Sequence, residues 1–350
     1  MPATDSRNML RKFLWVAIAL LLLIPLPKLA AAPKPPAPLR LVQRFKLPAD
    51  VTGRFDHFGV DLQGNRLFLA AESIHEVLVL NLKTGMITHR IRNVQIPHAI
   101  AFRQTGNLIY VTDGGAGDLK IFDGKSYGLI KAVKLELDAD SLAYDQTMRY
   151  LYIVNGGEDA HQAESLVSVI DTNTDMKVGE AKIGSPHVEA MAVDTASSRL
   201  YVNNTGKNQV DVVDREKYRF VTSWPVTLCK QNVPAALDEA AHRLFIGCRS
   251  GEISVFDTQT GKEIQGLPIG KGIDDLIFNP QNKRIYASCG TDGAVYVYQQ
   301  KSANDYQSLG QVSTGPGARN SRYVASLHQL YVSVPAHGGS PAEVLVYRDR

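Results

Sequence analysis

Six places in the chain carry polar side chains that bind cations or move protons, and they recur once per unit of a longer repeat. Asp56 and His57 come first, His98 next, then Asp140 with Ser141, Glu189, Asn232 with Val233, and Asp274 with Asp275. Arg319, Asn320 and Arg322 stand near the corresponding place in the last unit, out of strict register. Carboxylates from four units, two imidazoles and an amide can surround a hard divalent cation through oxygen. Within this set, Asp56, His57, His98, Glu189 and Asp274 also suit a transition metal held through its two imidazoles. A ring of that kind can polarise a small ester or lactone, the chemistry of a metal-dependent hydrolase. A structural reading fits the same residues, because strand ends beside water need polar side chains to satisfy their backbone groups.

Other chemistry is absent or unsupported. Gly124-Lys125-Ser126-Tyr127-Gly128 matches the serine-hydrolase elbow, but the elbow needs a strand running into a helix, and the pattern here is that of a turn between strands. The glycine-rich stretches at 113–117 and 155–157 likewise lead into strands, so no helix N-terminus follows to cradle a phosphate. His75, His89, His161, His242, His328 and His337 stand singly and match no zinc spacing. No Cys-x-x-Cys is present, and the two tryptophans, Trp15 and Trp224, are too few for the ladders of quinone-dependent enzymes.

What must position the polar ring is a short motif found seven times. It reads Arg66-Leu67-Phe68-Leu69, and its later copies begin at Leu108, Tyr150, Arg199, Arg243, Arg284 and Gln329. The starts lie 42, 42, 49, 44, 41 and 45 residues apart. Each copy is dense in β-branched and aromatic residues, and a period in the forties with several strands per unit predicts the blades of a propeller. Small residues recur in the strand before each motif (Gly59, Ala101, Ala143, Ala192, Ala236), as crowding round an axis demands. An alternating third strand follows each motif, for example Val77 to Leu80 and Ile253 to Phe256. Fourth strands are polar and number six, the last of them, Tyr306 to Val312, being weak. Residues 40–47 stand ahead of the first unit with no partner there, so they are expected to supply the outer strand of the seventh and close the ring. The expected fold class is therefore all-β: a seven-bladed β-propeller of four-stranded antiparallel blades. The blades run about 56–94, 96–137, 138–184, 185–227, 228–270, 271–315, and 316–350 with 40–47. The long third unit, with an extra segment from Gly156 to Glu164, is expected to project a loop on the channel face that suits a partner contact.

These features resemble the bacterial YncE-like, YVTN-repeat propeller family. The matching stretches are Leu200-Tyr201-Val202-Asn203-Asn204 with residues 210–214, Asp138 to Asp140, residues 236–249, Pro316 to Arg319 and residues 334–347. The resemblance covers roughly residues 40–350 and implies an extracytoplasmic seven-bladed propeller. It carries no shared catalytic motif.

The N-terminus has its own character. Arg7, Arg11 and Lys12 precede an apolar run from Phe13 to Leu26, and small residues follow at 30–32. This order predicts a signal peptide over residues 1–31 cut near Ala31, and a periplasmic or secreted protein. An uncleaved anchor is the alternative, because Leu29 stands where a cleavage site favours a small residue. Residues 32–39 read as a stiff Pro-rich linker. Without residues 1–31 the chain holds 34 basic and 34 acidic side chains. Overall charge therefore favours neither nucleic acid nor an anionic membrane as partner, and a monomer is expected. Of three cysteines, Cys229 and Cys248 flank paired strands and can be neighbours; a disulfide there and three small buried thiols both fit. The expected function is a non-enzymatic binding or scaffold module acting through the channel face on a protein or small-molecule ligand. A metal-dependent hydrolase or lactonase with a divalent cation is the alternative, and an accessory to a redox chain a more distant one.

Overall fold

The computed structural model describes residues 36–349, so the expected signal segment, its expected cleavage site and the start of the expected linker lie outside the described residues. Seven four-stranded antiparallel sheets are arranged as the blades of a propeller. We letter the strands a to d from the axis outwards. Strands a are Phe58–Asp61, Pro97–Arg103, Leu142–Asp145, Met191–Asp194, Asn232–Asp238, Ile273–Asn279 and Ser321–Val324. Strands b are Arg66–Ala71, Leu108–Asp113, Tyr150–Gly156, Arg199–Asn204, Arg243–Cys248, Arg284–Cys289 and Gln329–Val334. The repeated motif thus forms strand b in every blade. Among the described residues no helix is long and apolar enough to cross a membrane.

The core lies between blades. Seven apolar clusters each join two neighbouring sheets; Leu69 and Leu80 of blade one, for instance, share one with Tyr331 and Val346 of blade seven. Burial explains the motif's composition: Leu67, Phe68 and Leu69 are wholly buried, as are the equivalent residues of later copies. The third motif residue pairs across to a small one on strand a: Phe68 with Gly59, Tyr110 with Ala101, Tyr152 with Ala143, Tyr201 with Ala192 and Phe245 with Ala236. A Cβ at Gly59 would lie 2.7 Å from Cγ2 of Ile100 in the next blade, so close approach requires glycine there. Blades six and seven break the series, with Ile277 opposite Tyr286 and Arg322 opposite Tyr331.

The ring closes as the sequence predicts. Leu39–Lys46 pairs antiparallel with Glu343–Asp349, from Leu39 opposite Asp349 to Lys46 opposite Glu343. Strand d of blade six is stronger than its sequence promised: Asp305–Ser313 spans nine residues and pairs with the nine of Ala294–Ser302. Two register shifts let this polar strand keep its pairing. Residues 124–128 form the turn between Asp118–Asp123 and Leu129–Lys134, as their reading as a non-catalytic segment requires. Cys229 and Cys248 are joined in a disulfide, and Cys289 is free and buried.

Candidate functional site at the channel mouth

Each strand a begins, and each strand b ends, on one face of the ring. Residues entering a and leaving b therefore converge around the axis, where they line a cavity of about 530 Å3. Seven carboxylates face it: Asp56, Glu72, Asp138, Asp140, Asp159, Glu189 and Asp274. Arg54, Arg249 and Arg319 face it too, with His57 and His98.

The two sides of the mouth differ in how their charges are met. Asp274 is saturated: Arg249 Nη2 donates to it at 2.7 Å, Arg319 Nε lies at 3.2 Å, and Asn320 Nδ2 donates at 3.1 Å. Burial works against its charge, but Arg319 and Arg249 outweigh it and hold the carboxyl below its usual range. Asp56 accepts from Asn320 Nδ2 at 3.2 Å and meets His98 Nδ1 at 2.7 Å. His57 sits between Asp275, 3.1 Å from Nδ1, and Asp56, 3.4 Å from Nε2. Burial alone would lower both imidazoles. Asp140 and Asp56 instead raise His98 to about 9, and Asp275 and Asp56 raise His57 well above its ordinary value.

Asp138, Asp140 and Glu189 have weaker support. The closest cation to Asp140 is His98 Nδ1 at 3.8 Å, and Glu189 has Arg249 at 3.9 Å. Burial, aided by the neighbouring Asp140, lifts Asp138 to about 6 and Glu189 to about 8. Asp140 is itself raised by burial, against the pull of His98. This side of the mouth holds more carboxyl groups than its close protein cations can pair.

The ring read from sequence is largely present, with three corrections of placement. Asn232 does not face the mouth: it is fully buried, donating to Asn203 Oδ1 and Gln209 O of blade four, each at 3.0 Å. A register shift between Asn232 and Ala235 turns its side chain into the wall and leaves Val233 at the mouth. Asp275 lies one level deeper, facing a narrower cavity of about 240 Å3, and fixes His57 and the Ser321 amide. Asn320 is buried behind the surface as the bridge between Asp56 and Asp274.

The expected metal set also changes. Among the described residues, Asp56, His98 and Asp140 bring ligand atoms within 4.8 Å of one another. Asp274 is spent on two arginines and an amide, Glu189 faces Arg249, and His57 turns between Asp56 and Asp275. Sequence reasoning missed Arg54, Glu72, Asp138, Asp159 and Arg249. Glu72 and Arg249 directly follow strands b, so the rule that strand-b exits converge on this face could have found them. Asp159 comes from the long loop of blade three, which is tied to blade four by Glu158 N–H donating to Pro186 O at 3.1 Å.

Comparison with known proteins agrees with this architecture. The chain is 30% identical over 99 residues to YncE of Salmonella typhimurium and 29% identical over 99 residues to YncE of Salmonella typhi. Each match covers 28% of this chain and 28% of the relative. The chain is a seven-bladed β-propeller that is similar to YncE over that stretch. No family model matches the sequence. The ring superposes on a chain of the Kuenenia stuttgartiensis hydrazine synthase with a TM-score of 0.72, at 16% identity, covering 86% of this chain and 97% of that one. A chain of the mitotic checkpoint complex gives 0.72 at 14% identity, covering 95% and 98%. At such identities these two structures share the fold alone.

Proposed function

We propose that this YncE-like propeller is a non-enzymatic binding module of the periplasm or the secreted fraction. Its channel mouth takes a cationic ligand, either a divalent ion or an amine. The observation that carries this reading is the cluster Asp138, Asp140 and Glu189, three acids raised by burial and with no cationic group closer than 3.8 Å among the described residues. A ligand cation would supply the missing charge at a site already formed. The basic-then-apolar N-terminus supports export, and so does the Cys229–Cys248 disulfide, since disulfides persist in oxidising compartments.

Titrating Ca2+, Mn2+ and spermidine into the purified protein, with calorimetry and melting temperature as readouts, tests the reading. At least one should bind at pH 8, and Asp140→Asn with Glu189→Gln should weaken it about tenfold or more. Indifference to all three cations at every pH would overturn it. The close grouping of Asp56, His98 and Asp140 favours a second reading, a metal-dependent hydrolase acting on a small ester or lactone. Turnover of such substrates that needs the bound ion and vanishes in Asp140→Asn would put that reading first.

A further inference from the structure

The other end of the channel has the opposite character. There the turns between strands a and b surround a cavity of about 720 Å3, into which Arg103, Arg149 and Arg322 face. One carboxylate lines it, Asp61, and that one is spent: Arg66 Nε donates to it at 2.8 Å and the Gly64 amide at 2.9 Å. Arg103 and Arg149 have partners of their own, Thr105 O at 2.9 Å and Asn173 Oδ1 at 3.1 Å. Arg322 has none: among the described residues its guanidinium makes no hydrogen bond and no ion pair. It faces both this cavity and the narrower one above it, so it stands in the bore of the channel. Its side chain is exposed to solvent along the channel, yet enough protein surrounds it that burial lowers its pKa from the usual arginine value. Asp275, the carboxylate above it, is held on both oxygens by His57 and the Ser321 amide.

The repeat shows how unusual this residue is. Facing the buried aromatic of strand b, blades one to five carry Gly59, Ala101, Ala143, Ala192 and Ala236, and blade six carries Ile277. Blade seven alone places an arginine there. The fold does not need a charge at this position, since six blades pack without one. A five-donor fork left unpaired in a confined bore is suited to an oxyanion, which it binds through paired hydrogen bonds. Phe102, Tyr144 and Tyr323 supply aromatic walls beside it.

We infer that Arg322 is the anchor of a second site, at the opposite end of the channel from the acidic mouth, for a small organic anion: a carboxylate or phosphate monoester with an apolar body. Arg103 and Arg149 add long-range attraction at the entrance, and Asp61 with Arg66 keeps the wall neutral.

Calorimetry with benzoate, phenyl phosphate and inorganic phosphate tests this on the full folded chain. Wild type should bind phenyl phosphate or benzoate more tightly than inorganic phosphate. Arg322→Ala places the repeat's own residue at the site and should fold; it should lose at least tenfold in affinity, and Arg322→Lys should fall between. Asp140→Asn should leave anion binding unchanged, which separates this site from the cation-binding mouth. In anion-free buffer the alanine variant should melt no lower than wild type. No binding of any probe, equal binding by Arg322→Ala, or a large loss of melting temperature without anion would each overturn the inference.

Discussion

His98 and Glu189 both keep a proton to unusually high pH, one as a cation and the other as a neutral acid. Both folded values are raised, to about 9 from 6.5 and to about 8 from 4.5. A raised group stabilises the fold fully below its unfolded value and loses that contribution as pH climbs through the folded one. For His98 the window is pH 6.5 to 9, and for Glu189 it is 4.5 to 8. Melting temperature should therefore fall between pH 6 and pH 9, by on the order of 2 kcal/mol of stability. His98→Gln should flatten the upper part of that fall, and a profile rising toward pH 9 would contradict the assigned pairing with Asp56 and Asp140. A bound cation should reverse the trend at the mouth, because it replaces the protons on Glu189 and Asp140. The types of these residues were legible in the sequence. Their partners were not, since Asp275 and Asn232 differ in depth by amounts that depend on register shifts within single strands.

At the level of elements, the strand Leu39–Lys46 decides whether the ring is shut. Leu39 and Phe45 are buried, as is Leu47 just beyond, and the strand covers the otherwise open edge of Glu343–Asp349. Deleting residues 39–46 should remove Leu39 and Phe45 and expose that edge, lowering stability by about 5 kcal/mol or more. Deleting only residues 33–37, which precede the closing strand, should leave the melting temperature within about 1 °C. Equal losses from the two deletions would contradict the closure. This strand was readable from counting alone, six polar fourth strands for seven repeats. The strength of Asp305–Ser313 was not, because its pairing depends on a partner strand of matching length rather than on its own composition.

Across the whole molecule, the first residue of the motif has a role that no single repeat reveals. Arg66 of blade one reaches the Gly124 carbonyl and Asn107 Oδ1 in blade two. Arg199 donates to Thr258 O of blade five at 2.7 Å, and Arg243 to Asn304 Oδ1 of blade six at 3.0 Å. Arg284 reaches Asp349 of blade seven at 3.2 Å. These arginines are bolts between neighbouring sheets, each partly or wholly out of solvent, where charge-assisted bonds are worth most. Arg243 also holds Asp257 at 2.9 Å. Arg243→Ala should cost about 2 kcal/mol in denaturant unfolding, since it removes the bonds to Asp257 and Asn304 and opens the seam between blades five and six. A loss under about 0.5 kcal/mol would show that the bolt is ornamental. The same scale holds the channel's polarity, acids at the mouth and arginines at the far end, which arises only when seven distant segments meet around one axis.

The sequence by itself determined the number of blades, their strand order and the closing strand, because hydrophobic alternation and repeat length are local properties that each unit carries in full. It also placed Asp56, His57, His98, Asp140, Glu189 and Asp274 in the ring that lines the mouth. Only the tertiary structure decided which carboxylates are closely paired and which are not, that Asn232 belongs to the wall, and that Arg322 has no hydrogen bond or ion pair among the described residues. Those outcomes rest on distances of a few ångströms between residues of different blades, and charge pairing at that range follows from three-dimensional approach rather than from spacing along the chain.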